Sequence, residues 1–243
     1  MHHPIVILVI ALLGTCTSGF CDVYLEAGCA ATDREWRAQE HAALIALIEA
    51  KKVPLPVLSD VDGAKVLRRV CSVDNLSFGR NKSLPFGARM EDFLGLMPAV
   101  NSLSKKMVAE ALAGKQVSTE SSMLMCQTLH IAALGIELMD EFLPTLKRDE
   151  TYEIRMQGAQ KMKSGMATVL AGAYTSVAED TLYSPSERST MLVAMAETAD
   201  RFASVLSTDQ KTEMQLKFMR LREKLTENMD RESIDRVVNA MKR

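Results

Sequence analysis

Met123–Phe142, MLMCQTLHIAALGIELMDEF, is the stretch whose reading decides the fold. Wound at 3.6 residues per turn, it carries apolar side chains on most sides. Its few polar residues, Gln127, His130, Glu137 and Glu141, fall on one narrow stripe. A helix of that character expects neighbours almost all round. Ser118 and Thr119, with Glu120 in the first turn, supply a start, and Pro144 supplies a stop.

Working outward from it, the segments on either side keep the helical period. Downstream, Asp149–Asp180 carries glycines at heptad spacing, Gly158, Gly165 and Gly172, which predicts a close approach of two helices along that face or a ligand lying in a groove there. Ser184, Pro185 and Glu187 combine an N-cap, an N1 proline and a capping box; Ser207 and Gln210 repeat the pattern; Asp230 opens a last short helix. Upstream, Thr32–Glu35 is a capping box for a helix bearing Trp36, Leu44, Ile45 and Ile48, and Ser59 caps a shorter one that ends at Cys71. Met90–Ala113 is a helix that Pro98 should kink or split, and Gly114 ends it. Between the last two, residues 72–88 hold no period and collect Gly, Pro, Asn and Ser, which predicts a long irregular loop. No segment alternates with period two. The fold class is therefore all-α: an irregular bundle of about eight helices in a single domain over residues 20–243.

The N-terminus sits apart from that domain. Ile5–Leu13 is an unbroken apolar run followed by small and polar residues. It is too short for a bilayer, which needs about 20 residues, so residues 1–19 read as a secretory signal peptide with cleavage between 18 and 21. Export would leave four cysteines, for which the expected pairs are Cys21 with Cys29 and Cys71 with Cys126, the alternative being buried free thiols. The expected location is the periplasm or the cell exterior, with membrane contact only through the signal segment if it is retained.

Composition narrows the partners. With 29 basic and 31 acidic residues the formal net charge is -2, which gives no overall field for nucleic acid. Sixteen methionines against 5% aromatic residues are unusual, and several recur at helical steps, among them Met123, Met125, Met139, Met156, Met162, Met166, Met191, Met195, Met214 and Met219. Methionine either lines adaptable binding grooves or fills gaps in a core. Phe78, Arg80, Lys82 and Phe86 in the irregular segment make a candidate contact surface for a protein or peptide.

Motifs for chemistry are missing. The sequence holds no HExxH or CxxC, no phosphate-binding glycine loop and no GxSxG elbow, so neither metal nor cofactor is expected. The one acid-base candidate is the polar stripe itself: His130, Glu137 and Gln127, joined by a neighbour such as Glu40 or His41. Leu206–Gln210, LSTDQ, resembles the LTxxQ signature of small periplasmic helical chaperones, with Ser207 in place of the family's Thr. That resemblance implies an exported helical protein that binds other polypeptides; a capping box following an apolar residue gives the same letters for local reasons. The expected function is protein or peptide binding of chaperone, adaptor or inhibitor type, the alternative being a hydrolase or lyase centred on His130 and Glu137.

Overall fold

The computed structural model describes residues 38–178 and 182–243, which form nine helices with no strand among them. They are α1 (Ala38–Glu49), α2 (Val61–Val70), the single turn α3 (Ser77–Arg80), α4 (Phe86–Leu112), α5 (Ser118–Phe142), α6 (Tyr152–Ala178), α7 (Pro185–Ala203), α8 (Thr208–Lys224) and α9 (Asn228–Met241). The expected signal segment, the Thr32–Glu35 capping box, Cys21 and Cys29 lie outside the described residues.

The central stretch behaves as its composition demands. α5 is enclosed by α4, α6 and α7, and from Leu129 to Ile136 every residue is buried. Each Leu or Ile so enclosed contributes about 1.5–3 kcal/mol. The helix is long and apolar enough to cross a membrane, and 78% of its apolar window is buried inside the fold. α4 runs antiparallel to α5: Phe86 at the start of α4 stacks on Phe142 at the end of α5, ring centroids 5.8 Å apart. Arg89 forks onto Glu141 one turn further along. α7 runs parallel to α5, with Glu187 taking hydroxyl hydrogen bonds from Ser118 and Thr119 at one end and Arg201 reaching Glu137 at the other. α2 and α3 follow the same direction along a third side of α5, from a backbone bond of Leu58 to Glu120, through Gln127 on the Ser72 carbonyl, to Arg80 at Glu137. α9 packs on α7 and α8, and one hydrophobic cluster extends from Leu44 to Met241.

The local start signals are realised where they are reciprocal. Ser184 with Glu187 and Ser207 with Gln210 both form complete capping boxes. The LSTDQ letters thus have a local structural role, the start of α8. Asp60 rather than Ser59 caps α2, its carboxylate accepting from the Gly63 N–H at 2.6 Å.

Four sequence expectations are corrected. The irregular segment is shorter than 72–88, because a 3-10 turn at Val73–Leu76 and α3 fold within it and α4 already begins at Phe86. Of the two outcomes expected at Pro98, a kink or a split, the split does not occur, because α4 is continuous through it. The proline lies on the exposed face while Leu96, Ala99 and Val100 beside it are locked in the core, and its missing N–H leaves the Leu94 carbonyl without that amide partner. The heptad glycines do not mediate close packing: Gly158, Gly165 and Gly172 are exposed, and a Cβ at any of them would touch nothing within 4 Å. Cys71 and Cys126 are free thiols and form no staple. Both pack against the core, and burial pushes each up to about 12, with the neighbouring Cys126 adding to the effect at Cys71 and Glu197 at Cys126. A thiol held neutral in this way is a poor nucleophile for disulfide formation.

Methionine resolves mainly as filling. Met139, Met166, Met191, Met195 and Met214 are buried and close gaps between helices; Met123, Met125, Met156 and Met162 are half-buried, Met125 lining a second, shallower cleft of about 290 Å³, and Met219 is exposed.

Candidate functional site

α5 turns two members of its polar stripe, His130 and Glu137, toward the seam where α3 and α7 meet it. There Arg80 from α3, His130, Ala133 and Glu137 from α5, and Glu197, Thr198, Asp200 and Arg201 from α7 enclose a cleft of about 520 Å³. The placement begins with a glycine. At Gly79 a Cβ would stand 2.6 Å from the Leu134 side chain, so the absence of one lets α3 press flat on α5, and the next residue, Arg80, reaches over the seam. On the other wall, Glu197 and Arg201 are four residues apart and so share a side of α7.

Glu137 stands between two guanidinium groups. Its Oε2 takes the Arg80 Nε at 3.4 Å, and its Oε1 takes the Arg201 Nε at 3.0 Å. About two turns earlier on the same helix, His130 places its Nε2 3.4 Å from the Glu197 Oε2. Burial lowers the His130 imidazole below its ordinary value of 6.5, Glu197 pulls the other way and Arg80 adds to the depression. His130 is therefore neutral at pH 7. Asp200 at the mouth is met by Arg243 at 3.2 Å, and the Thr198 hydroxyl donates back to the carbonyl of Ala194 at 2.7 Å.

Of the residues singled out from sequence, His130, Glu137 and Arg80 are brought together. Gln127 is not: it is buried, with its amide donating to the Ser72 carbonyl at 3.2 Å, away from the cleft. Glu141 belongs to the bidentate pair with Arg89, which holds its carboxyl below the usual range. Glu40 and His41 sit on α1, which packs along α4, and neither lines the cleft. Phe78 and Phe86 are half-buried, whereas Lys82 is exposed beyond the end of α3. Among the described residues no group of three His, Cys, Asp or Glu side chains could hold a metal ion.

Glu197, Asp200 and Arg201 went unmarked in the sequence. The four-residue spacing of Glu197 and Arg201 was there to be read, but it gains meaning only once α7 is known to lie parallel to α5. Chemically, the site offers a neutral imidazole beside one carboxylate and two cationic forks that share another. Comparison with protein-family models finds no match to this chain, and comparisons with curated proteins and with solved structures find none either.

Proposed function

We propose that this chain is a helical binding protein, exported from the cytoplasm, which takes a protein or peptide partner at the cleft between α3, α5 and α7. The observation that carries the reading is the pairing within the cleft. Glu137 is engaged on both oxygens by guanidinium groups, so it serves as a counter-ion that fixes two arginines rather than as a proton acceptor. Arg80, Glu197 and Arg201 are at the same time about half exposed. A set of ion pairs held in place at a concave surface is suited to polar, specific recognition, where charges set partner choice and encounter rate. Export rests on the apolar run Ile5–Leu13.

The test is affinity capture from an extracytoplasmic extract with the wild-type chain and with the double charge reversal Arg80→Glu and Arg201→Glu. A polypeptide retained by the wild type and lost with the variant, at equal helical content by circular dichroism, supports the reading. Equal retention by both, or a wild-type chain that elutes alone, overturns it.

One observation favours a second reading. A neutral, partly buried imidazole with a carboxylate at its Nε2 is also how a general base is presented, which keeps hydrolase or lyase chemistry open with Glu197, not Glu137, as the partner of His130. It predicts that Glu197→Gln lowers an activity that Glu137→Gln spares.

A further inference from the structure

The cleft's own pairings show which of its charges are still available. Glu137 is taken by the Nε of both arginines, Glu197 by His130, and Asp200 by Arg243. Thr198 has turned its hydroxyl into its own helix. What remains is one edge of each guanidinium: the terminal Nη nitrogens of Arg80 and Arg201 make no hydrogen bond to any described residue. Side-chain exposures of 43% and 55% put both at the opening rather than in the wall.

Glu137 determines how those edges are presented. Holding two Nε atoms at one carboxylate brings the planar forks of α3 and α7 to a common centre and leaves the edge between the two Nη nitrogens of each without a hydrogen-bond acceptor among the described residues. A guanidinium edge is built to receive the two oxygens of a carboxylate side by side. Cations continue on both sides: Lys82 is exposed just past Arg80, where its field reaches Glu141, and Arg243 stands beside Asp200 at the far rim. Glu137 and Asp200 each face arginine, so they repel an incoming carboxylate less than an uncompensated acid would, whereas Glu197 faces a neutral imidazole and keeps its full charge. Exposed apolar surface is small here; the lining residues are almost all polar or charged.

We infer that the partner segment is acidic: a peptide stretch carrying closely spaced carboxylates, two of which dock on the free edges of Arg80 and Arg201. This rests on the binding reading above and specifies its ligand. Arg80 and Arg201 are then binding residues, Glu137 a positioning residue, and Glu197 a brake on affinity, because its charge faces the same opening.

The probe is a fluorescently labelled peptide of consecutive glutamates, titrated by anisotropy against the full chain at about 0.15 M salt, where only close contacts escape screening. The expected result is saturable binding that weakens by about tenfold or more in the Arg80→Gln, Arg201→Gln double variant. It is unchanged by Arg220→Gln with Lys224→Gln on α8, which contributes nothing to the cleft. Glu197→Gln leaves both arginine pairings intact and should tighten binding about two- to fivefold. It therefore reports even if the double arginine variant folds poorly. No binding of the glutamate peptide, equal loss in the α8 control, or Glu197→Gln leaving the affinity unaltered overturns the acidic ligand. Inorganic phosphate competing as well as free peptide would also overturn it, since the site would then hold isolated anions. The two readings separate cleanly. A captured partner that depends on Arg80 and Arg201 while the glutamate peptide fails to bind leaves the binding function standing and removes only the acidic segment.

Discussion

A Cβ at position 135 would have no room. It would lie 2.6 Å from the Met166 Cε and against the Phe93 ring, where the central helix is wedged between α4 and α6. Gly135→Ala is therefore expected to destabilise the fold by about 1–3 kcal/mol through overpacking, measured by urea unfolding. Gly165→Ala on the open face of α6 should do the reverse and raise stability by up to about 1 kcal/mol, because the helix loses a flexible residue and meets no obstacle. The sequence drew attention to the wrong glycines for an understandable reason. Heptad spacing is visible as a pattern and tells which residues share a face, but not whether that face looks inward. Gly135, alone in its helix, produces no pattern at all. The thiols offer a second check at this scale. With both pushed up to about 12, Cys71 and Cys126 should resist alkylation by iodoacetamide at pH 8 in the native chain and react promptly in denaturant. Rapid native labelling would contradict their burial.

Helix starts show how much of an element is written locally. The boxes at Ser184 and Ser207 need only residues three apart, and both were legible. They differ in what else they hold. Gln210 stays within its own turn, whereas Glu187 also accepts from Ser118 and Thr119 and so ties the start of α7 to the start of α5. Burial pushes its carboxyl up, and these hydrogen bonds more than compensate, leaving it below the usual range. Ser207→Ala should cost about 1 kcal/mol and Glu187→Ala about 2–3 kcal/mol, read from thermal melts of the two variants. Equal losses would mean that the bridge between helices adds nothing. Other boundaries were misread because tertiary contacts override local rules. Pro98 has the chemistry of a helix breaker, yet its neighbours are fixed in the core. Residues 72–80 have the composition of a loop, yet Leu76 and Gly79 are buried against the body of the fold and give that stretch regular turns.

At the scale of the whole molecule, the fold class was legible because a 3.6-residue period is a local property of every segment. The cleft was only half legible. His130 and Glu137 share a helix and announce each other, but Arg201 lies 64 residues from Glu137 in sequence, and nothing short of the parallel packing of α5 and α7 brings them together. That packing should also set the molecule's response to acid. The folded state holds the His130 imidazole below 6.5 mainly by burial, while the unfolded chain titrates near that value. Above pH 6.5 neither state binds the proton. As pH falls through 6.5 the unfolded chain gains it first, so stability must decline, and the decline continues down to the folded pKa. The melting temperature is thus expected to fall between about pH 7 and pH 5.5, and His130→Gln should flatten that slope. Two of the carboxylates that the fold keeps low, Glu141 and Glu187, act in a separate window. Their contribution is present above their ordinary 4.5 and disappears in stronger acid. A wild-type slope between pH 7 and 5.5 that survives His130→Gln would place the sensitivity elsewhere.

The enclosure of α5 has a consequence for biosynthesis. A chain emerging from the ribosome completes its long apolar central helix at Phe142, while a principal cover, Pro185–Ala203, has yet to be made. At roughly 5–20 residues per second that interval lasts roughly 3–12 s, during which a segment long and apolar enough to cross a bilayer is without its final neighbour. The nascent chain therefore passes through a period in which membrane insertion machinery and aggregation compete with folding. Its safe passage depends on holding that helix, by α4 or by an outside chaperone, until α7 arrives.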